Sequence, residues 1–333
     1  MMAGSLTLGS GEFSFQIIPN WGRLPQGWLF GEVAAVGVDS KDRVFAFTRG
    51  EHPMIIFDRE GNFLSSWGEG MFQNPHGLHM GPDDTVYCTD EGDHTLRKFT
   101  LDGKLLLEIG LPGKASSFMS GLPFNRCTHS ALSPTQDIYV SDGYGNARIH
   151  KYSHKGKLLF SWGGSGTDPG KFNIAHNVCC DADGWVYVAD RENHRIQIFD
   201  ENGRYESQWN NMHRPCGLCM QAGGTPRFYI GELGPGKEFS NRNWPNLGPR
   251  VSIHTNTGEL LARLGDCESV GRPSRFVSPH GIAVDSKGSI YVGEVSRTNL
   301  TNKGIAIAPG TDPVCLQKLE KVEPVPEPLV PKQ

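Results

Sequence analysis

Short apolar alternations recur along the chain, each a few residues long and bounded by turn residues. Val186-Tyr187-Val188 and Ile196-Gln197-Ile198 are typical, and Asp-Gly, Lys-Gly and Asn-Gly steps separate them. A period of two marks strands, and glycine in these dipeptides gives the backbone freedom that a tight hairpin requires. The strand, turn, strand unit begins anew at Ala34, Pro75, Thr128, Ala175 and Pro279. A sixth copy begins at Pro215, with a two-residue insertion and a longer excursion from Gly234 to Pro249. Repeats of this length, with no stretch that reads as a long helix, predict an all-β fold, a six-bladed β-propeller. The last copy stops after three strands, near Ala306, while the chain opens on an orphan strand, Phe13 to Ile18, that runs into Trp21-Gly22. The same pair ends the fourth strand of complete copies at Trp67-Gly68 and Trp162-Gly163. The N-terminal strand is therefore expected to close the last blade, leaving no long strand edge open.

The repeats run from Phe13 to about residue 310 without a linker, which favours one domain in a chain of 333 residues. We expect residues 1–11, rich in Gly and Ser, to be a flexible N-terminus and 12–310 to be the propeller. Residues 311–333 are expected to be an extension, disordered from about 321, where Pro and Glu dominate. A formal net charge of −4, with Lys and Arg scattered singly, offers no basic stripe for nucleic acid. There is no apolar run of about 18 residues and no basic start leading into an apolar core, so neither a membrane span nor an export signal is visible. These features point to a cytoplasmic protein with no obligate protein partner. The eight cysteines include Cys88, Cys179, Cys180 and Cys219, inside strands, where reduced, buried thiols are expected. Cys216-Gly-Leu-Cys219 is a lone CxxC, and three residues along a strand point to opposite faces, which argues against joint chelation.

The chemistry lies in the register of the repeats. His76, His176 and His280 are 100 and 104 residues apart, and each lies 11 residues before the strand tyrosine of its own copy, Tyr87, Tyr187 and Tyr291. The intervening copies have Ala34, Thr128 and Cys216 at that position. A single histidine at a strand start is ordinarily a hydrogen-bonded loop residue. Three in strict alternation around a ring converge on its axis, giving three nitrogen ligands and an open fourth position, as in catalytic zinc sites. The other histidines, His129 and His79 among them, share no such phase and are expected at the surface or in packing. Four residues past the strand aromatic, Arg49 and Arg191 mark two copies, and Tyr144 lies one residue further on in a third. Beside such a mouth, the arginines suggest a clamp for a carboxylate and the tyrosine a general acid or base.

These residues carry a resemblance. The PHG and AHN histidine motifs, FTRG at Arg49, VSDGYGNARI around Tyr144 and VADRENHRIQ around Arg191 look like NHL repeats, and the chain resembles the peptidyl-α-hydroxyglycine α-amidating lyases over about Gly31 to Gly293. The resemblance implies zinc on His76, His176 and His280, a substrate carboxylate on Arg49 and Arg191, and Tyr144 as base. It also implies calcium on the backbone carbonyls of Val36 and Leu78 and on a carboxylate after the third histidine, but that position is Gly281 here, so the charged ligand is missing. Ser278 replaces the family's methionine near the third histidine. The family's two disulfide positions hold Asn125 with Gly145 and Tyr187 with Ile198.

The expected function is a zinc-dependent lyase. It would cleave the C–N bond of a small carboxylated N-acyl hemiaminal, an α-hydroxyglycine derivative or ureidoglycolate-like compound, to an amide and glyoxylate or another oxo acid. One alternative keeps the metal and hydrolyses a lactone, amide or imide. Another is a non-catalytic interaction propeller. The Gly234 to Pro249 excursion reads equally as a lid or as a plain surface loop.

Overall fold

A computed structural model describes residues 7–221, 226–236, 244–265 and 276–322. It shows six antiparallel sheets, five of four strands and one of five. Blade 1 runs from Val33–Val38 to Phe63–Trp67, blade 2 from Pro75–Met80 to Leu105–Gly110, and blade 3 from His129–Leu132 to Leu158–Gly163. Blade 4 runs from Ala175–Cys180 to Tyr205–Trp209, and blade 5 from Pro215–Gln221 to Leu260–Leu264. The first strand of each blade packs against the first strands of its neighbours, so six inner strands line a central channel. The apolar side chains gather into six clusters, each between two adjacent blades. A fully buried Val, Phe or Ile contributes about 1.5–3 kcal/mol, which makes these inter-blade faces the chief source of stability.

The ring closes in blade 6, where Phe15–Ile18 pairs with the C-terminal strand of the same sheet. The boundaries differ from those expected. The third strand of blade 6 is Leu316–Lys321, inside the stretch assigned to an extension, and not a segment ending near Ala306. Between it and the second strand, Ile290–Glu294, lies a short helix, Ser296–Asn302. At the other end, Thr7–Leu8 pairs with Phe15–Ile18 and Gly11–Phe13 is a 3₁₀ turn, so this part of the supposedly flexible start is ordered. The Pro/Glu-rich residues 323–333, the first six residues and residues 237–243 of the excursion after Gly234 lie outside the described residues.

The inner strands carry a further regularity. In blades 2, 4 and 6 the ladder slips between Pro75 and Gly77, Ala175 and Asn177, and Pro279 and Gly281. A bulge leaves one residue unpaired and re-aims its side chain. In these three blades that residue is His76, His176 and His280. The same slip occurs at Ala34 and Cys216 in blades 1 and 5.

Candidate metal centre

The three bulged histidines meet at one end of the channel. They are 2%, 1% and 5% exposed, their ring centroids are 4.7–4.8 Å apart, and one ligand nitrogen from each lies within 4.8 Å of the other two. Each Nδ1 is pinned to a backbone carbonyl of the next blade: His76 to Thr128 at 2.7 Å, His176 to Cys216 at 3.0 Å, and His280 to Ala34 at 2.6 Å. A carbonyl only accepts, so Nδ1 carries the proton and Nε2 presents a bare lone pair toward the axis. Burial depresses the pKa of all three rings, the charge of Arg191 acts on each in the same direction and that of Arg49 on His76 and His280, and His280 is taken down to about 3. The imidazoles are thus neutral, as metal ligation requires.

Tyr144 lies at the same end. Its Oη is 3.1 Å from Nε2 of both His76 and His176 and accepts from Arg191 Nη1 at 3.2 Å. Burial raises its phenol pKa above the usual 10, and the Arg191 charge opposes that rise. Arg191 also donates through Nε to Glu192 at 2.8 Å. Arg49 bonds Glu32 at 2.9 Å through Nη1 and the Pro75 carbonyl at 3.0 Å through Nε, leaving Nη2 without a partner among the described residues. A cavity of about 410 Å³, lined in part by Trp28, His52 and Arg297, flanks Arg49 and Glu32. The structure therefore brings all six predicted residues around one mouth.

Several contributors escape the sequence reading. Arg126 lies 4.8 Å over the Tyr144 ring and is held by Glu91 at 2.6 Å. Glu91 is visible in hindsight, since it sits four residues past Tyr87, the register of Arg49 and Arg191. Three buried carboxylates brace the segments that enter the histidine strands. Asp90 accepts from the backbone of Gln73 and Asn74, Asp190 from Asn173, and Glu294 from Val277 and Ser278. Burial pushes Glu294 up to about 7.

Beyond the imidazoles the channel encloses about 260 Å³, lined by Val36, Leu78, Gly281, His79 and His129 among others. His129 and His79 are thus channel residues, contrary to their expected surface or packing roles. Calcium does not fit this channel. The Leu78 carbonyl already accepts His129 Nε2 at 3.1 Å. A Cβ on Gly281 would lie 2.5 Å from Ala35 Cα, so the neighbouring blade occupies the space a carboxylate would need. The seven described cysteines are free. Cys216 Sγ lies 3.3 Å from His176 Nδ1, apart from Cys219, which faces the channel. The Asn125 carbonyl accepts Gly145 N at 3.0 Å, and Tyr187 pairs with Ile198 in the blade 4 ladder.

Fold and site together define a six-bladed NHL-type propeller with a three-histidine cluster able to hold a metal ion. An NHL repeat model matches residues 172–199. The chain is 31% identical to human NHL repeat-containing protein 3 over 304 residues, spanning 84% of this chain and 81% of that one. It is 32% identical to a probable peptidyl-alpha-hydroxyglycine alpha-amidating lyase of Caenorhabditis elegans over 254 residues, covering 74% and 68% of the two chains. The chain belongs to the NHL-repeat propellers, with relatives among both NHL repeat-containing protein 3 and the amidating lyases. A streptogramin B lyase structure superposes with a TM-score of 0.55 at 16% identity, covering 92% of this chain and 86% of that one, a likeness of fold alone.

Proposed function

We propose that the protein is a zinc-dependent lyase that cleaves N-acyl hemiaminals of the type R-CO-NH-CH(OH)-COO⁻ to an amide and glyoxylate. One observation carries this reading: three Nε2 lone pairs, each fixed by a carbonyl behind its ring, converge beside a buried tyrosine held by an arginine. Three neutral imidazoles with an open fourth position suit zinc in a catalytic role. Bound there, the ion would supply a Lewis-acidic charge beside the carbinol oxygen and pull the neighbouring phenol toward ionisation.

The chain's own residues do the rest. Arg49 and Arg191 orient the carboxylate, since guanidinium N–H groups match its geometry. Tyr144 Oη, 3.2 Å from Arg191, takes the carbinol proton. The O–H electron pair becomes the C=O bond of the aldehyde, the C–N bond breaks, and the amide nitrogen leaves with a proton, which Tyr144 returns. Nothing is oxidised or reduced and no water is consumed.

Metal analysis beside product analysis tests this. The purified protein is expected to hold about one zinc per chain, and His76→Ala, His176→Ala and His280→Ala near none. Incubation with N-acetyl-α-hydroxyglycine should yield acetamide and glyoxylate in equal amounts. Metal retained in the variants, or acetate found among the products, would sink the proposal.

A further inference from the structure

The plane of the three Nε2 atoms has two faces. On the mouth side Tyr144 stands over two of the rings, its Oη 3.1 Å from Nε2 of His76 and of His176, and Arg126 and Arg191 lie 4.8 and 5.4 Å over its own ring. The other face belongs to the central channel. The cavity of about 260 Å³ that borders His76, His176 and His280 continues along the inner strands to Met80, Cys180 and Met220, and Tyr144, Arg49 and Arg191 have no part in its wall. The three ligand rings are buried and these far residues are part-exposed, so the channel opens on the opposite face of the propeller. Four strand steps of about 3.3 Å separate His76 from Met80, which gives the bore a cross-section of roughly 20 Å², enough for a file of waters.

The lining is chemically selective. Among the described residues it has no carboxylate, ammonium or guanidinium, so a hard cation finds no charged ligand there. It offers imidazole and thiol instead. His79, Cys179 and Cys219 each stand three residues past the bulged position of blades 2, 4 and 5, which sets them on one tier of the ring. His129 adds a ring from blade 3, held by the Leu78 carbonyl at 3.1 Å. Neither nitrogen of His79 has a hydrogen-bond partner among the described residues, and His129 Nδ1 and Asn177 Oδ1 are buried without one. Buried polar atoms left unpaired are rare, and these border a space that a ligand can enter. Burial keeps both rings neutral, as metal ligation requires, and keeps the Cys179 and Cys219 thiols protonated, which makes them weak ligands. An ion held on this tier is bound less tightly than one held by three converging imidazoles, and it moves on.

We infer that zinc, or another divalent ion of that borderline class, reaches the three imidazoles from the face opposite the mouth, and that His79, His129, Cys179 and Cys219 form a transit site for it. Stripping water from a dication in a narrow bore is costly, and neutral nitrogen and sulfur donors offset part of that cost. The inference rests on the metal site of the proposed function and not on its reaction.

The test is the rate of metal exchange. Metal-free protein is mixed with zinc in a stopped-flow instrument, with a coloured chelator reporting free zinc; release is timed against excess EDTA, and affinity comes from competition titration. The double variant His79→Leu, His129→Gln should take up and release zinc about tenfold more slowly, or slower still. It should still hold about one zinc per chain, with affinity within about twofold of wild type. A group on the path slows both directions equally and cancels from the equilibrium, whereas a group that supports the ligands changes affinity. His79→Leu alone, which removes no hydrogen bond, should slow both directions by a smaller common factor and carries the test if the double variant does not fold. Exchange at wild-type rates overturns the inference and places the entrance at the mouth. A loss of affinity with unequal changes in the two rates also overturns it, making the two histidines supports of the site. Wild-type protein that takes up no zinc removes the metal site and the route together; the expected exchange in a protein that cleaves no α-hydroxyglycine removes the lyase reading alone.

Discussion

Gly281→Ala should be among the most damaging single-methyl changes in this chain. Gly281 is not among the residues with a positive φ, so its backbone suits any residue and the obstacle is purely steric. The added carbon would meet Ala35 Cα at 2.5 Å, Val36 N at 2.9 Å and Ala35 C at 3.0 Å, whereas carbon atoms rest at about 3.5–4.0 Å. All three atoms belong to the inner strand of blade 1, so relief requires moving backbone by about 1 Å. That strand also supplies the Ala34 carbonyl that holds His280 Nδ1 at 2.6 Å. Overpacking costs about 1–3 kcal/mol, and a contact made only with backbone belongs at the upper end. With a urea m-value of about 3 kcal/mol per molar, the midpoint should fall by roughly 1 M. The assay is urea denaturation of metal-free protein, followed by tryptophan fluorescence. Gly113→Ala is the control: nothing lies within 4 Å of its Cβ, and its φ of 69° carries only the ordinary left-handed cost of about 1–2 kcal/mol. Gly281→Asp should be at least as unstable and should bind no calcium by calorimetry, because its side chain meets the same wall and His129 already occupies the Leu78 carbonyl. A midpoint within about 0.2 M of wild type, or calcium binding by Gly281→Asp, would refute the packing argument.

Tyr144→Phe should keep its zinc, since the ligands are imidazoles, while lyase turnover falls by about 10²–10⁴; measuring metal content and glyoxylate release on the same sample checks both. Cys216→Ala should also retain zinc in metal analysis, because the backbone carbonyl of residue 216 that holds His176 Nδ1 is kept in the variant. Acid should weaken the metal-free fold. Burial holds His129 at about 4 and His79 at about 3, below the unfolded value near 6.5, so the unfolded chain binds more protons between those limits. Stability is then full above about pH 6.5 and declines as pH falls toward 4, by up to 1.4 kcal/mol per pH unit for each ring. His129→Gln can still donate to Leu78 but does not titrate, so urea midpoints plotted against pH should show a shallower acid limb; an unchanged limb counts against a buried neutral His129.

The architecture was legible because propellers repeat locally: each hairpin announces itself through period-two patterning and a glycine turn. The third strand of blade 6 escaped because Gln317 and Lys318 are buried polar residues whose partners are distant in sequence. Gln317 Nε2 bonds Glu294, and Lys318 Nζ bonds the Arg59 carbonyl and lies 5.8 Å from the Tyr291 ring. Hydropathy sees LQKLEK as a polar segment, and only the closed ring supplies what satisfies it. His129 was misplaced for the opposite reason. It stands one residue off the ligand register, yet its ring reaches the neighbouring blade's Leu78 carbonyl, a contact that no single repeat contains.

The alternation of the histidines has a physical cause that side-chain identity conceals. Each ligand ring needs an acceptor behind it to fix its tautomer and its aim. The bulge that frees a residue to face the axis in blades 2, 4 and 6 recurs at Ala34 and Cys216 in blades 1 and 5, and Thr128 immediately precedes the inner strand of blade 3. These three residues are fully buried and contribute a carbonyl. Backbone oxygen is the same in every residue, so Ala, Thr and Cys serve equally, and nothing in their side chains marks the role. A six-fold ring thereby yields a three-fold site: half of the blades provide the imidazoles that could hold an ion, and the other half hold those rings in place.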